Sequence, residues 1–404
     1  MYALLDELVP LYPVYALLFA DAGLSAGQIS TLFVLWSVTS FLVEVPSGAL
    51  ADRISRRRLL AFTALLRGAG FGLWVIAPSY PAFAVGFVLW GVAGAVASGA
   101  WEALVYDELA AEGATEAYPR LLGRSEVLAT LGVLAGTALA VPLVAAGGYA
   151  AAGAASVGTC LATGAVALAL PERPRAADAD DTGGLAGYLR TLRAGVAEAR
   201  SDRRVRRLLV VAGMLAGLTA VDEYLPLLAR ETGAPDALVP VLLLAPYAGL
   251  VVGAELAGRL PGVRPVRVAA GSAAGAVLLA AGALSGVPLG FLGIGAFYAA
   301  MWFGSTISSA RLQDSMSGAA RATVTSASGL GTEVVALGVY TGVGVAAGHT
   351  HLAPLVAAPA VLLLVLSALI PRWLPPAAGA EPEPGRGPEP DPEQDPRPDY
   401  RQAA

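Results

Sequence analysis

The sequence predicts an all-α integral membrane protein in which twelve transmembrane helices form two pseudo-symmetric six-helix bundles. Three observations lead to this prediction: the composition, the number of long apolar segments, and one long polar loop that divides those segments equally. Of the 404 residues, 56% are hydrophobic and 14% are charged, and the mean hydropathy is +0.65. Soluble domains carry about 25% charged residues, so this chain has too few charges to coat several water-soluble domains.

Twelve apolar segments are long enough to cross a bilayer, since a hydrocarbon core of about 30 Å needs about 20 residues of helix. Most of them are separated by short clusters of turn-forming residues. Numbered in chain order, spans 1 to 12 cover residues 2–20, 29–50, 59–77, 82–106, 122–146, 149–170, 205–228, 238–258, 267–284, 288–309, 322–346 and 352–370.

The segments outside the spans define the domain organisation. Residues 171–204 are polar and charged, and they separate an N-terminal bundle, residues 1–170, from a C-terminal bundle, residues 205–370. The remaining residues 371–404 contain ten prolines and seven acids, a composition that predicts a disordered tail. The single cysteine, Cys160, lies in an apolar span, which excludes an intramolecular disulfide.

The arginines predict the orientation of the spans. All 26 basic residues are Arg, and all but two fall on the side of the bilayer that also holds both termini; the exceptions are Arg67, inside span 3, and Arg230, in a loop on the other side. Positively charged loops stay in the cytoplasm, so we expect both termini and the loop 171–204 to be cytoplasmic. The exclusive use of Arg indicates a high-GC bacterial genome, and the predicted location is the bacterial cytoplasmic membrane.

The two bundles carry a trace of internal duplication. Residues 50–54 (Leu-Ala-Asp-Arg-Ile) follow span 2 and residues 256–260 (Leu-Ala-Gly-Arg-Leu) follow span 8, at an offset of 206 positions. Paired halves around a site near the bilayer midplane are an architecture of transporters. The acid of this short repeat survives only in the N-terminal copy, as Asp52.

The loop between spans 2 and 3 carries the most informative motif. Residues 48–58 read Gly-Ala-Leu-Ala-Asp-Arg-Ile-Ser-Arg-Arg-Arg, which resembles the pattern G-x-L-a-D-r-x-G-r-k between helices 2 and 3 of the major facilitator superfamily of secondary transporters. Ser55 stands at the second glycine of that pattern. The matching positions, which the resemblance assigns to a cytoplasmic gate, are Gly48, Leu50, Asp52, Arg53, Arg56 and Arg57.

Three further segments resemble a bacterial drug-efflux-like branch of the same superfamily. Residues 44–48 match its E-x-P-x-G, residues 98–107 resemble its span 4, and residues 312–315 with 321–324 resemble its loop between spans 10 and 11. Span 4 lacks R-x-x-x-G, and span 5 lacks the Gly-Pro pair typical of proton-driven antiporters. The resemblance implies transport by alternating access and a cavity lined by spans 1, 4, 7 and 10.

Asp52 has a physical role available at the cytoplasmic face. Span 11 begins near Ala322 on the same side, so the positive end of its helix dipole faces Asp52. A contact between the two, with Arg53 and Arg56 bound to nearby acids, would latch the halves together when the inside is closed. The alternative is that the arginines only set the orientation of the spans.

Ionisable side chains inside spans are costly and mark functional candidates. Glu44 and Arg67 lie about 12 Å from the cytoplasmic ends of adjacent spans, at about 1.5 Å per residue, so they can pair as a proton-sensitive switch or as a structural element only. Glu333 lies near the middle of span 11, which suits a proton carrier. The proton or charge-relay candidates are Glu44, Arg67, Glu102, Glu333, Asp222 and Glu223.

The acids of spans 1 and 7 have two interpretations. Asp222 and Glu223 precede Pro226 in the outer half of span 7, where they can attract a cationic cargo or carry protons. For Asp6 and Glu7, solvation at the inner end of span 1 is the simpler interpretation. Aromatic side chains in the spans can pack in the core or form a cavity wall for a lipophilic or cationic compound. The cavity candidates are Tyr12, Tyr15, Trp101, Tyr224, Tyr298 and Trp302.

The sequence therefore predicts a proton-coupled exporter of a small lipophilic or amphipathic compound. An importer or symporter of a small metabolite is the nearest alternative, and a membrane sensor or scaffold that does not transport is the alternative from another class. The expected partners are the small-molecule cargo, protons and the lipid bilayer; we expect a monomer with no cofactor, no metal and no nucleic-acid partner. Since no nucleophile–base pattern lies on a polar segment, the sequence does not favour an enzyme.

Overall fold

The computed structural model describes residues 1–173, 203–315 and 318–376, without the side chains of residues 45–53 and 318–327. Regular structure in these ranges is helical. The helices of the N-terminal half are Tyr2–Glu7 and Tyr15–Asp21 (span 1), Ala26–Arg53 (span 2), Arg56–Ile76 (span 3), Tyr80–Ala111 (span 4) and Tyr118–Leu168 (spans 5 and 6). Those of the C-terminal half are Arg203–Gly217 and Leu225–Glu231 (span 7), Val239–Arg259 (span 8), Pro265–Leu284 (span 9), Gly290–Asp314 (span 10), Gly318–Ala346 (span 11), and Leu352–Ala357 and Pro359–Trp373 (span 12).

Ten helical segments of the described chain are long and apolar enough to cross a membrane. This number differs from twelve because span 1 is divided into two short helices, and because spans 5 and 6 form one helical stretch of 54 residues, Thr115–Leu168. Inside that stretch the backbone of Gly147 and Gly148 is not helical. Gly148 has φ 60° and ψ −153°, a combination essentially restricted to glycine, so the predicted boundary between spans 5 and 6 is confirmed and the twelve-helix fold fits.

The first span of each half is interrupted, where the sequence predicted continuous segments. In span 1, Pro10 and Pro13 lack backbone donors, and turns separate the helix Tyr2–Glu7 from the next one. In span 7, a 3₁₀ stretch, Leu218–Tyr224, joins two α-helices, and Pro226 lies in the first turn of the second. Both interruptions bring acidic side chains to the interior of the bundle.

Successive spans run in opposite directions between two faces. The terminal face carries the start of span 1, the end of span 12 and the turns at 54–55, 112–117 and 260–264. The loop face carries the turns at 22–25, 77–79, 147–148, 232–235, 285–289 and 347–351. These two names are used below without reference to inside or outside.

The core of the N-terminal half is a cluster of aromatic rings. Trp74, Phe83, Phe87 and Phe19 are all less than 2% exposed. The indole Nε1 of Trp74 donates to the carbonyl oxygen of Phe83 at 3.1 Å, and the rings of Phe19 and Trp74 meet edge to face with centroids 5.0 Å apart. The cluster holds spans 1, 3 and 4 together on the loop-face side of the first interruption.

The turn after span 2 forms without the glycine of the family pattern. Ser55 has φ −53° and ψ 121°, and its side chain accepts a hydrogen bond from the backbone amide of Arg58 at 3.5 Å. Because this backbone lies outside the left-handed region, a serine fits there and also caps the next helix.

Span 12 continues beyond its predicted end at residue 370. Leu374 is 2% exposed, and Nη1 of Arg311 donates to the carbonyl oxygen of Pro375 at 2.5 Å. Leu374 and Pro375 therefore contact the C-terminal half, within the segment that the sequence assigned to the tail. The remainder of the predicted tail, 377–404, and most of the predicted central loop, 174–202, lie outside the described residues.

Spans 1 and 5 pack backbone to backbone. A Cβ atom on Gly132 would lie 2.3 Å from the carbonyl oxygen of Leu4, and one on Gly136 would lie 2.8 Å from the amide nitrogen of Val9. Small residues at such crossings allow helices to approach closely. This contact holds the first helix of span 1, and with it Glu7, against span 5.

We predict that Gly132→Ala lowers the midpoint of thermal unfolding in detergent, because the added methyl group overpacks the crossing with Leu4 and such strain costs about 1–3 kcal/mol. Gly123→Ala on the same helix is the matched control, since a Cβ there has nothing within 4 Å. Equal midpoints for the two variants would contradict the assigned crossing.

Candidate functional site

Two adjoining cavities occupy the interior of the bundle. The terminal cavity, about 450 Å³, is lined mainly by spans 1, 3, 4 and 5 toward the terminal face. The central cavity, about 420 Å³, lies between the halves and is lined mainly by spans 1, 2, 4, 7, 8 and 10. Glu7, Trp90, Val133, Tyr247 and Leu250 line both, so the cavities meet at these side chains.

Three acidic side chains line the central cavity: Glu7, Asp222 and Glu223. Glu7 ends the first helix of span 1, and the other two belong to the 3₁₀ stretch of span 7. The hydroxyl of Tyr298 donates to the carbonyl oxygen of Thr219 at 2.8 Å and fixes that stretch. Interrupted helices that meet between two halves are where transporters place their binding groups.

Aromatic rings form much of the remaining wall of the central cavity. Tyr12 stacks on Trp90 with ring centroids 5.1 Å apart and an angle of 11° between the ring planes. The ring centroid of Trp36 lies 5.0 Å from that of Trp90. Aromatic faces beside carboxylates attract organic cations. The aromatic residues that line this cavity are Tyr12, Tyr15, Trp36, Trp90, Tyr247, Tyr298 and Trp302.

The terminal cavity contains a buried ion pair. Nη2 of Arg67 pairs with the carboxylate of Asp6 and also donates to the carbonyl oxygen of Asp6 at 2.6 Å. The Arg67 side chain is only 9% exposed, and a buried charge is tolerated when it is paired. Arg67 therefore pairs with Asp6 and not with Glu44, the partner that the sequence allowed, because the first helix of span 1 packs on span 5 and brings Asp6 within reach of the Arg67 side chain.

The halves meet on the loop face through an ionic network. Arg230, from the C-terminal half, donates from Nη1 and Nη2 to the two carboxylate oxygens of Asp21, at 2.6 and 3.0 Å. Nη2 of Arg230 also donates to the hydroxyl of Tyr149, whose own hydroxyl lies 2.6 Å from Asp21. Asp236 accepts from Arg230 at 2.7 Å, so one guanidinium binds groups of both halves.

Between this network and the central cavity, span 2 contacts both span 7 and span 11. These contacts close the central cavity toward the loop face. The hydroxyls of Ser30 and Tyr224 lie 2.8 Å apart, and the hydroxyl of Ser37 donates to Glu333. Glu333 lines neither cavity, and Tyr224, a candidate for the cavity wall, is fully buried in this contact layer. Both residues lie between the halves and line neither the central nor the terminal cavity.

The terminal-face motif is described in part. Arg56 is buried and pairs with Asp107 at the end of span 4, and its backbone amide donates to Glu172 at 2.5 Å. Nε of Arg57 lies 3.5 Å from Glu172, so these two arginines bind within the N-terminal half. The positions whose side chains lie outside the described residues are Gly48, Leu50, Asp52 and Arg53.

The other candidates divide between cavity and surface. Trp101 lines the terminal cavity and stacks on Tyr2, with centroids 4.9 Å apart. Glu44 and Glu102 are exposed and line neither cavity. For Glu7, sequence reasoning preferred solvation at a helix end to a role in attracting cations or carrying protons. The signal that marks it is the pair of prolines that follows it in span 1.

Comparisons with known proteins agree with this architecture. A sequence model described as Major Facilitator Superfamily matches residues 8–338. A sequence comparison with curated proteins gives no match. Three solved structures illustrate the structural similarity, and at their low sequence identity they show the fold alone.

A mutant of the nucleoside transporter NupG is 12% identical, with a TM-score of 0.74 over 93% of this chain and 98% of that chain. A bacterial homolog of the human lysosomal transporter Spinster, inward-facing and occupied, is 13% identical, with a TM-score of 0.70 over 92% of this chain and 94% of that chain. A D-xylose–proton symporter is 15% identical, with a TM-score of 0.66 over 93% of this chain and 96% of that chain.

We predict that Arg230→Gln opens the loop face, because it removes the guanidinium shared by the two halves. Exposed ion pairs contribute about 1 kcal/mol, which corresponds to about a fivefold change in the ratio of the two states. A cysteine placed at Thr219, in the central cavity, should then react faster with a membrane-impermeant thiol reagent added at the loop face. Arg259→Gln is the matched control, since Arg259 pairs with Glu255 in its own helix.

The same network should be insensitive to pH in the physiological range. Burial acts to raise the pKa of Asp21, but hydrogen bonds from Arg230 and Tyr149 and the charge of Arg230 lower it below its ordinary value of 3.8. A lowered pKa means that the stabilisation is present above the ordinary value and is lost only when the pH falls below it. An ordinary Asp has a pKa of about 3.9. If titration of Asp21 changed the opening of the loop face in the wild-type protein between about pH 8 and about pH 5, this assignment would be contradicted.

Proposed function

Because the chain belongs to the major facilitator superfamily and is a membrane transporter of that type, we propose that it exports a small lipophilic or amphipathic compound in exchange for protons. The observation that carries this proposal is the central cavity, where three carboxylates without an ion pair among the described residues lie beside aromatic rings. We place the protein in the bacterial cytoplasmic membrane with both termini inside, from the distribution of its arginines.

Alternating access is supported by the difference between the two faces. The contacts of Arg230 with Asp21 and of Ser30 with Tyr224 join the halves on the loop-face side of the central cavity. The terminal cavity lies on the opposite side and meets the central cavity. With the terminal face in the cytoplasm, this arrangement takes up cargo from the cytoplasm.

The cargo class follows from charge and shape. Glu7, Asp222 and Glu223 give the central cavity a negative potential, which repels anions and attracts cations. A compound with one positive charge and an apolar body places its charge near these carboxylates and its body against rings such as Tyr12 and Trp90. We therefore propose an amphipathic organic cation as the cargo.

Coupling to protons uses the same carboxylates. A proton and a cationic cargo neutralise the same charge, so the binding of one favours the release of the other. A proton gradient directed inward then drives the cargo outward. The resemblance of residues 44–48 and 98–107 to a drug-efflux-like branch supports this direction.

A proton symporter that imports a small metabolite is the second candidate. Two of the similar structures are named as a nucleoside transporter and a D-xylose–proton symporter. Hydroxyl groups that suit a polar metabolite line the terminal cavity, among them Thr63, Ser98 and Ser125. This candidate differs from the exporter in the sign of the coupling, which one experiment measures.

We predict that proteoliposomes with an acidic interior accumulate the cation tetraphenylphosphonium when the membrane potential is held at zero. One pH unit corresponds to about a tenfold gradient for one proton exchanged per cation. Accumulation driven instead by an acidic exterior would indicate a symporter, and cation movement equal to that of protein-free liposomes under both gradients would contradict transport of this cargo class. Because antiport and symport respond to opposite gradients, the result does not depend on the orientation of the protein in the vesicle.

The gate assigned to Asp52 remains a proposal that the sequence motif supports. We predict that Asp52→Asn slows exchange of the cation by about tenfold, as expected when about 1.4 kcal/mol of stabilisation is lost from one state of the cycle, while the amount of protein in the membrane stays unchanged. Glu116→Gln, an exposed acid in a turn on the terminal face, is the control. Wild-type kinetics in the Asp52 variant would exclude the gate.

A further inference from the structure

We infer that the acidic C-terminal tail, residues 377–404, docks on an arginine-rich surface of the C-terminal half at the terminal face. This tail surface consists of exposed arginines on spans 7, 9 and 12 and next to them: Arg203, Arg207, Arg264, Arg267 and Arg372. The docking involves neither the cargo nor protons, so it goes beyond the proposed transport.

The arginines of the tail surface have no carboxylate partner among the described residues. Two acids of the described C-terminal half lie at this face. Glu255 pairs with Arg259 in its own helix, and Asp314 is the acid whose charge acts on Arg311, one turn earlier on span 10. A surface with an excess of one charge attracts an oppositely charged chain, so the tail surface fits an anionic partner.

The two halves differ in charge at the terminal face. On the N-terminal half the described segments of this face carry six arginines and five acids, and on the C-terminal half they carry nine arginines and two acids. These segments are residues 54–58, 107–124 and 171–173 of the first half, and 203–207, 255–267, 311–315 and 371–376 of the second. The excess positive charge is therefore concentrated on the half from which the tail starts.

Arg311 fixes the point at which the tail leaves the bundle. Its side chain is buried at the end of span 10, where Nη1 donates to the carbonyl oxygen of Pro375 at 2.5 Å and Nη2 donates to that of Val263. Its Nε has no hydrogen-bond partner among the described residues. Val263 precedes Arg264, and Arg372 lies three residues before Pro375, so the tail begins among the arginines of the tail surface.

The start of span 9 adds to the positive potential at this point. Arg264 is the residue before the helix Pro265–Leu284, and Arg267 lies in its first turn, which contains no acid. The N-terminal end of a helix carries a partial positive charge that favours acids over arginines. A bound anionic chain offsets both the partial charge and the two guanidinium groups.

The tail has the complementary charge and sufficient reach. Residues 377–404 contain seven acids and three arginines, and residues 389–395 contain four of these acids and no arginine. A proline-rich chain spans about 3.1 Å per residue, so residues 377–389 reach up to about 40 Å. A tethered segment has an effective concentration in the millimolar range, which offsets the weakness of single exposed ion pairs.

The test is the rate at which trypsin cleaves after Arg386 in the purified full-length protein, in a neutral detergent without added lipid. Arg386 lies between Glu383 and Glu389, so docking of the acids on both sides shields this bond. We expect cleavage at low salt to be about fivefold slower than in a synthetic peptide of residues 377–404. At about 1 M salt, where the Debye length is about 3 Å, the two rates should be equal.

A paired set of variants assigns the protection to the tail surface. Arg264→Gln combined with Arg267→Gln should raise the cleavage rate at low salt by at least about threefold. Arg120→Gln combined with Arg124→Gln is the matched control, because both arginines are exposed at the same face of the N-terminal half, and it should keep the wild-type rate. Wild-type cleavage as fast as that of the peptide, or equal protection in the two double variants, overturns the inference.

A change in the tail itself covers the case in which the variant of span 9 does not fold. Replacement of the acids at 389, 391, 393 and 395 by their amides leaves the described residues untouched. Compared with a peptide of the same altered sequence, this protein should show no protection after Arg386. Protection that persists without these acids contradicts electrostatic docking.

Anionic lipid headgroups are the other ligands that arginines near a membrane surface attract. The tail is favoured over them because it is tethered beside Arg264 and Arg372 by the bonds of Arg311. An unprotected tail, together with binding of phosphatidylglycerol that is lost in the variant with Arg264→Gln and Arg267→Gln, would identify lipid as the occupant and would overturn the docking of the tail.

Discussion

An ionised side chain in a membrane interior is costly unless another group compensates its charge, and the arrangement of charges in this protein follows from that constraint. Arg67 is paired with Asp6, and Arg56 is paired with Asp107. Arg230 lies at the loop face, between acids of both halves. The carboxylates that line the central cavity without an ion pair among the described residues are exceptions to this pattern, and they line the cavity that we propose to bind the cargo.

The carboxylates of the central cavity lie there because spans 1 and 7 are interrupted. A continuous helix satisfies its own backbone groups and presents side chains on one regular face. The prolines at 10 and 13 end the first helix at Glu7, and the 3₁₀ stretch before Pro226 carries Asp222 and Glu223. Both interruptions face the space between the halves, so the pseudo-symmetry of the fold gathers acids from opposite bundles around one cavity.

Much of the fold could be predicted from the sequence, because span length, hydropathy and turn residues depend on local chemistry. The boundary at Gly147 and Gly148 is an example. The partner of Arg67 could not be predicted, since equal depth on neighbouring spans allowed Glu44, and only the packing of the first helix against Gly132 selects Asp6. The rotation of each helix likewise decides that Tyr298 lines the cavity while Tyr224 contacts Ser30.

We propose that a proton and a cationic cargo compete for the same carboxylates of the central cavity. The most direct test of this competition is the release of protons when tetraphenylphosphonium binds to the purified protein in weakly buffered detergent solution. We predict that each bound cation releases about half a proton at the pH at which the competing carboxylate is half-protonated, and close to about one proton at lower pH, as linked binding requires. Cation binding without proton release, at every pH at which the protein stays folded, would contradict the competition.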